Sequence, residues 1–255
     1  MQHLLPSRQW ETSLDGIQNL RLEQRAVQQP AAGEILVKIT AVTLNYKDGE
    51  TINGLFKHHK SNKAPDDLVP CSDSCGHVVA LGSDVKRWEK GDRVLSTSYP
   101  THLTGQIGPE HLSVGVGAAV NGCLCEYRIF KETAVAKCPD YLTDEEACCF
   151  QIAGTTAWMA INGFRPLGHP LVCQGGEKPA IVLLQGTGGV SIMGLLIAKA
   201  SGAEVILTSS SDEKLQRAKD LGADHLINYR KTPEWHKKVL SLSDGKGADI
   251  IFENG

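Results

Sequence analysis

The fold of this chain is decided by the stretch Leu184-Gln185-Gly186-Thr187-Gly188-Gly189-Val190-Ser191. It follows the apolar run 180–184, which is typical of a strand buried on both faces, and it precedes a predicted helix over residues 190–201. Gly186 permits a tight turn, and Gly188 lets the backbone approach a pyrophosphate that the N–H groups of the helix start then face. Ser191 replaces the usual third glycine and is small enough for close helix–strand packing. The sequence therefore predicts a dinucleotide site at Gly186, Thr187, Gly188, Gly189 and Val190; the alternative is a turn with a structural role only.

The rest of the second half alternates between strands and helices. Strands are predicted over residues 204–208, 225–227 and 248–252, and helices over residues 212–221 and 233–242. Strands joined by helices in this way run parallel through right-handed crossovers, so this half is predicted to be α/β with a parallel sheet.

The end of the strand over residues 204–208 indicates which dinucleotide fits. An NAD site normally places an acid there to hold the ribose 2′-hydroxyl. Here Ser209 and Ser210 follow the strand without an acid that would repel a 2′-phosphate, and Lys214 lies in the first turn of the next helix. The pattern favours NADPH over NADH, with Ser209, Ser210 and Lys214 as cofactor-binding residues.

Neighbouring residues leave alternatives open. Ser210 and Glu213 have capping-box spacing, which would give this serine a structural role. Asp212 is an acid that could hold the ribose of NAD. Tyr229 follows the next strand, where it would stack on the adenine or line its pocket; the alternative is a surface aromatic at a strand end.

Short strands separated by turns characterise the first half. They are predicted over residues 34–42, 78–81, 93–96 and 125–130, and they indicate a small antiparallel β domain. Residues 99–121 lack periodicity and are predicted to form a long loop, either a lid or plain surface irregularity. Thr143 and Glu146 have capping-box spacing at a helix start, a second helix is predicted over residues 156–163, and residues 165–179 form a connector.

Bulk properties argue against several functions. The net charge of −3 gives no electrostatic basis for binding nucleic acid or an anionic membrane, no apolar run is long enough to cross a bilayer, and the first residues lack a secretory pattern. The cytoplasm is therefore the expected compartment. The eight cysteines are expected to be buried free thiols rather than disulfides.

Several stretches together resemble the medium-chain dehydrogenase/reductase superfamily, in its zinc-independent, quinone-oxidoreductase-like branch. They are LNYKD (44–48), VPCSD (69–73), GDRV (91–94), AGTTAW (153–158), QGTGGVS (185–191), TSSSDEKL (208–215) and LGADHLINY (221–229). The resemblance spans nearly the whole chain in the family's order. It implies a GroES-like β domain in residues 1–160 and a Rossmann domain in residues 161–255, the latter a doubly wound parallel sheet, with substrate in the cleft between the two.

The resemblance also bears on zinc. Zinc-dependent relatives hold a catalytic metal with Cys and His side chains, and the corresponding positions here are Asn45, Ser72 and Ile152. None of these can replace a Cys or His ligand, so no metal site is expected. A structural zinc lobe would need four closely spaced cysteines, and the sequence lacks such a cluster, although Cys71, Cys75, Cys123 and Cys125 could still converge in space.

The activity implied by the resemblance is hydride transfer from NADPH to a quinone, enone or other activated carbonyl acceptor. Asn45, Tyr46 and Thr156 are the candidate catalytic residues near the nicotinamide and the acceptor. Tyr46 would donate a proton or a hydrogen bond, or else it is a core aromatic. Asp48 and Asp73 are expected to anchor backbone turns rather than to take part in chemistry.

The chain departs from the family at its end, Ile250-Ile251-Phe252-Glu253-Asn254-Gly255. In the family, further strand–helix units complete the sheet, carry nicotinamide contacts and include the strand through which subunits of the usual homo-oligomer pair. The expectation is therefore a Rossmann domain incomplete at its C-terminal end, with low stability and weak or no activity. The alternative function is a non-catalytic nucleotide-binding or interaction protein.

Overall fold

The computed structural model describes residues 6–56, 64–166, 168–173 and 178–253. The chain divides into two compact units, Met1–Ile152 and Ala153–Gly255. The boundary expected between residues 160 and 161 lies a little further along the chain, near the end of a helix. Residues 167 and 174–177 of the predicted connector, and the last two residues of the chain, lie outside the described residues.

The first unit is built on a five-stranded antiparallel sheet. In spatial order its strands are β6 (Tyr127–Lys131), β3 (Glu34–Thr43), β4 (Asp73–Leu81), β5 (Arg93–Ser96) and β7 (Val135–Lys137). The predicted antiparallel β domain is confirmed, with the strand at 93–96 at its predicted bounds. β4 begins five residues before the predicted 78, because its first half, Asp73 to His77, lacks an alternating pattern.

A second, two-stranded antiparallel sheet was missed by the sequence analysis. It pairs β1 (Pro6–Glu11) with β2 (Arg21–Ala26). The sequence of β2 is RLEQRA, which has neither β-branched residues nor a clear alternation, so no strand pattern is visible. Arg25 of β2 holds the buried carboxylate of Glu11 at 2.7 Å, which ties the hairpin together.

The described residues of the first unit also form a 3-10 helix, Ile17–Asn19, and three short α-helices: α1 (Tyr46–Ile52), α2 (Pro109–Leu112) and α3 (Asp144–Ala147). The capping box at α3 is confirmed, since Thr143 Oγ1 accepts from Glu146 N and Glu146 Oε2 accepts from Thr143 N. The prediction of a long loop over residues 99–121, either a lid or plain surface irregularity, is wrong in part. It contains α2, and Val116 is 2% exposed within the core of the unit, so apolar burial orders its second half.

The second unit is a four-stranded parallel sheet in the order β10 (His225–Asn228), β9 (Glu204–Ser209), β8 (Ile181–Gln185) and β11 (Ile250–Phe252). Its helices are α4 (Thr155–Asn162), α5 (Gly189–Ala200), α6 (Asp212–Asp220) and α7 (Trp235–Leu242). Each predicted strand and helix is confirmed within two residues of its predicted ends. A short π-helical segment, Phe150–Gly154, leads into α4.

Alternate residues of β8 belong to different hydrophobic clusters. Val182 and Leu184 pack with α4, α5 and α6, whereas Ile181 and Leu183 pack with Val239 of α7. Because successive side chains of a strand point to opposite faces, helices cover both faces of the sheet. The predicted doubly wound α/β fold is therefore confirmed. Among the residues described, no helix combines the length and the apolarity needed to cross a membrane.

Candidate functional site

The glycine-rich turn leaves β8 and enters α5 with an open backbone. Gly186 has φ +81°, a left-handed conformation that favours glycine, and Gly188 is the N-cap of α5. A Cβ added at either residue would meet nothing within 4 Å. The backbone of the turn therefore faces free space, and the first N–H groups of α5, a helix of 12 residues, are available to an anion.

Ser191 and Gly194 set how closely α5 approaches the sheet. Ser191 is 2% exposed, and its hydroxyl donates to the carbonyl oxygen of Gln185 at 3.0 Å, as expected for a small residue at this position. A Cβ at Gly194 would lie 2.8 Å from Cε1 of Phe252 and 3.2 Å from Cδ2 of Leu184. Gly194 is thus the glycine of closest helix–sheet approach. It stands outside the turn motif, so the local sequence pattern did not indicate it.

The serines after β9 have different roles. Ser209 is buried, and its hydroxyl accepts from Ser211 N at 3.3 Å and lies 3.5 Å from Thr187 Oγ1. Ser210 is partly exposed. The capping box predicted for Ser210 is wrong: the N-cap of α6 is Ser211, whose hydroxyl accepts from Lys214 N, because the helix begins one residue later.

The acid in this region, Asp212, is already paired. Asn228 Nδ2 donates to its Oδ1 at 2.7 Å, and the ammonium of Lys231 contacts its other oxygen. These contacts, Lys231 first, lower the pKa of Asp212. Lys214 is exposed, and Tyr229 is 41% exposed. The backbone N–H of Tyr229 donates a hydrogen bond to the carbonyl oxygen of Ser209 at 3.1 Å, which joins Tyr229 to the end of β9. The structure thus brings the serines, Lys214 and Tyr229 to one end of the sheet.

A buried carboxylate organises the candidate residues of the first unit. Asp73 is fully buried and accepts three hydrogen bonds: from Ser72 Oγ at 2.6 Å, from Asn45 Nδ2 at 3.1 Å and from Ile152 N at 2.9 Å. We call this arrangement the Asp73 junction. It fixes the orientation of the Asn45 amide, since a carboxylate only accepts hydrogen bonds and Nδ2 must face it, which leaves Oδ1 pointing away.

The other candidate residues differ in burial. Tyr46, the first residue of α1, is 87% exposed, so the alternative of a core aromatic is wrong. Thr156 is exposed on α4, which packs against α5 within the second unit. Asp48 is buried and accepts from Asn45 N at 2.7 Å, which confirms its anchoring role. Burial raises the pKa of Asp48, and its Oδ1 has no hydrogen-bond partner among the described residues, with Lys47 Nζ 3.6 Å away.

The cysteines of the possible zinc lobe lie in two places. Cys123 packs in the main core of the first unit and donates its N–H to the carbonyl of Cys71 at 2.7 Å, whereas the Cys75 sulfur lies 3.8 Å from that of Cys138 in another cluster. All eight cysteines are free, and five of them are buried. Within the described ranges, no group of three or more His, Cys, Asp or Glu side chains is arranged to hold a metal ion.

Comparison with known proteins gives the family. The alcohol dehydrogenase GroES-like domain matches residues 31–140, and the zinc-binding dehydrogenase domain matches residues 189–255. A zinc-type alcohol dehydrogenase-like protein of Schizosaccharomyces pombe is 37% identical over 244 residues, which are 95% of this chain and 67% of that protein. The chain belongs to the medium-chain dehydrogenase/reductase superfamily. A chloroplastic quinone-oxidoreductase of Triphysaria versicolor is 30% identical over 237 residues, covering 93% of this chain and 64% of that protein.

A solved structure agrees with this assignment. It is named an NAD-dependent alcohol dehydrogenase, and it superposes with a TM-score of 0.79 at 30% identity, over 95% of this chain and 69% of that one. The quinone-oxidoreductase relatives, 30% identical to this chain, place it in the quinone-oxidoreductase-like branch of a superfamily of NAD(P)H-dependent oxidoreductases. It spans about two thirds of the length of the curated relatives named above.

Membership of the superfamily gives the Asp73 junction a further meaning. By the resemblance given above, Asn45, Ser72 and Ile152 occupy the positions of the metal ligands in zinc-dependent members. Here all three donate a hydrogen bond to the carboxylate of Asp73. The three positions converge in this chain on a buried anion, through an amide, a hydroxyl and a backbone N–H.

Proposed function

We propose that this chain transfers a hydride from NADPH to a quinone, an enone or another activated carbonyl acceptor, without zinc. The observation that carries the proposal is the arrangement at the end of β9. Asp212, an acid in the first turn of α6, is paired with Lys231 and Asn228, while Lys214 is exposed and makes no side-chain ion pair among the described residues. That arrangement favours an anionic 2′-phosphate over a neutral ribose hydroxyl.

The glycine turn fits a dinucleotide on structural grounds. The free space beside Gly186 and Gly188 allows a pyrophosphate to approach the backbone, and the N-terminus of α5 supplies N–H groups and a favourable dipole. Thr187, Gly189 and Val190 complete the proposed contact surface, and Tyr229 lines the proposed adenine pocket. A bound nicotinamide would supply a hydride, which carries two electrons and one proton, and a second proton from a protein group or water would complete the reduction of the acceptor.

Two of the proposed polar groups for the acceptor, Asn45 and Tyr46, belong to the first unit, and Thr156 belongs to the second. Asn45 holds its amide in one orientation through Asp73, so it offers a fixed hydrogen-bonding group rather than a mobile one. Tyr46 is exposed, and its phenol is free to donate a proton to the reduced acceptor. Thr156 is proposed as a third polar contact. Quinones and enones delocalise the charge that develops on reduction, so they need less help from a Lewis acid.

Zinc independence is proposed from the chemistry of the Asp73 junction. An amide, a hydroxyl and a backbone N–H already bond its carboxylate, and none of them is a zinc ligand of normal affinity. Metal analysis of the purified protein should find no stoichiometric zinc, and a chelator should leave turnover unchanged. One tightly held zinc per chain, with activity lost to a chelator, would contradict this part of the proposal.

The decisive experiment is NADPH oxidation with a panel of quinones, enones and simple ketones, with NADH in parallel because the solved relative is named NAD-dependent. We expect turnover with the activated acceptors and little with simple ketones. Cofactor binding without turnover on any acceptor would instead support a nucleotide-binding protein without catalysis. The expected compartment stays the cytoplasm, whose reducing conditions suit eight free thiols.

A further inference from the structure

Two adjacent thiols of the first unit share the same two oxygen partners. The sulfur of Cys148 lies 2.8 Å from Thr43 Oγ1 and 3.2 Å from the carbonyl oxygen of Glu145. The sulfur of Cys149 lies 3.3 Å from each of the same two oxygens. Side chains of consecutive residues normally diverge, so this geometry is specific: both sulfurs point to one place, next to a hydroxyl.

The two thiols of the pair differ in exposure. Cys148 is 2% exposed, whereas Cys149 is half-buried and open to solvent. A second thiol pair, Cys75 and Cys138, lies in the same apolar cluster with its sulfurs 3.8 Å apart, but both residues are fully buried. The cluster thus contains one accessible pair and one inaccessible pair, which gives an internal comparison.

We propose that Cys148 and Cys149 form a two-thiol binding site for trivalent arsenicals, ligands that bridge two sulfurs. With phenylarsine oxide, the As=O bond breaks and two As–S bonds form. The oxygen leaves as one water molecule with the two thiol protons, and no atom changes its oxidation state. Burial raises the pKa of the Cys148 thiol, so Cys148 reacts as the protonated thiol and its proton leaves in the water molecule. The hydroxyl of Thr43, which contacts both sulfurs, is placed to relay these protons.

Binding of an arsenical to this thiol pair is expected to disturb the Asp73 junction. The residues that follow the pair are anchored to β4: Gln151 Nε2 donates to the carbonyl of Ser74 at 2.8 Å, and Ile152 N donates to Asp73 at 2.9 Å. Thr43 precedes Asn45 by two residues. An arsenic atom bound to both sulfurs would compete with the Thr43 hydroxyl for them, so we expect the adduct to disturb the segment that carries Asn45.

The test is binding of phenylarsine oxide to the full chain, measured by intact-protein mass spectrometry. We expect one arsenical per chain, resistant to excess of a monothiol and removed by a small dithiol. Peptide mapping of the wild-type adduct should place it on the segment containing residues 148 and 149. Mapping to Cys75, to Cys138 or to any other thiol would overturn the proposal without the need for a variant.

Variants give the matched comparison. Cys148→Ser and Cys149→Ser should each abolish the binding that survives an excess of a monothiol, because a single remaining thiol cannot bridge the arsenic. Cys173→Ser, which removes a half-buried lone thiol of the second unit, should bind as wild type does. Unchanged binding in Cys149→Ser would overturn the proposal. Where a serine variant fails to fold, the mapping of the wild-type adduct decides alone.

Discussion

Lys214 and Lys231 are both exposed lysines near the end of β9, yet only Lys231 has an ion-pair partner among the described residues. Lys231 contacts Asp212, while the ammonium of Lys214 makes no hydrogen bond or ion pair among the described residues, and its backbone N–H donates to the cap Ser211. An exposed and unpaired lysine contributes little to the stability of the unit. Its charge is therefore available to a ligand.

The first prediction concerns this lysine. Lys214→Ala should weaken NADPH binding by about 1–3 kcal/mol, the range for a lost hydrogen bond to a charged group, and should barely change NADH binding. Calorimetric titration of both cofactors measures the difference. The control is Lys237→Ala, which removes an exposed lysine of α7 whose partner is Glu234, three residues earlier. Equal losses for both cofactors would show that Lys214 does not contact the 2′-phosphate.

The helix α5 packs closely against the sheet at Gly194. Alanine is normally favoured over glycine inside a helix by about 1 kcal/mol. Here its Cβ would meet the ring of Phe252 at 2.8 Å, and both Phe252 and Leu184 are buried and cannot move away. Gly194→Ala should therefore lower the free energy of unfolding, by about 1–3 kcal/mol, despite the better helix propensity.

Urea unfolding measures this effect, and the same helix provides the control. In Gly189→Ala the new Cβ would lie 3.6 Å from Ala153 Cβ, an ordinary contact, so this variant should lose less stability or gain some. A Gly194→Ala protein as stable as the wild type would mean that α5 can move off the sheet.

The short helix α3 is held to the sheet by Asp144. Burial alone would raise the pKa of this carboxyl, but hydrogen bonds from Thr40 at 2.6 Å and from Arg93 at 2.7 Å lower it to about 2. Because the folded pKa is below the unfolded value of about 4, the ionised group stabilises the fold above pH 4, and this stability is lost as the pH falls towards 2. The shift corresponds to about 2 kcal/mol.

Asp144→Asn should accordingly lose stability at neutral pH and show a flatter stability profile between pH 4 and pH 2 (the range from the ordinary to the lowered pKa). Urea midpoints measured across this range test it, with the exposed Asp140→Asn as the control. The prediction fails if the wild type and Asp144→Asn differ by the same amount at every pH.

The elements also show which features the sequence could predict. The alternation of β8 to β11 with α5 to α7 was visible because each strand is a short apolar run and each helix has a clear period. The hairpin β1–β2 and the helix α1 were missed, since charged or polar residues fill them and only tertiary contacts, such as Arg25 with Glu11, decide their conformation. In the site, the glycines and serines were predictable from local spacing. The Asp73 junction was not, because it joins segments far apart in the chain.

At the scale of the whole molecule, each unit has its own core, and the sheet of the second unit has β11 at one edge. Within the described residues β11 pairs only with β8, and its Ile251 is 56% exposed. An apolar edge strand with unpaired N–H and C=O groups favours association between molecules. Ile251→Lys should slow aggregation on warming, as followed by light scattering.

The control for this prediction is Leu240→Lys. Leu240 is 44% exposed on α7, so the variant adds the same charge on a helix surface instead of a strand edge. Equal protection by both variants would attribute the effect to net charge and not to the edge.

The Asp73 junction has a consequence for the kinetics of folding. Asp73 bonds Asn45, 28 residues away, and Ile152, 79 residues away, so two long loops must close before the junction is complete. We expect the carboxylate to lose its hydration after the rate-limiting step, which means that Asp73→Asn raises the unfolding rate and leaves the refolding rate nearly unchanged. Stopped-flow measurements of the folding and unfolding rates against denaturant concentration, for the wild type and for Asp73→Asn, would separate the two effects. Asp73, the residue that orients Asn45, would then set the lifetime of the folded first unit, while its effect on the folding rate would be small.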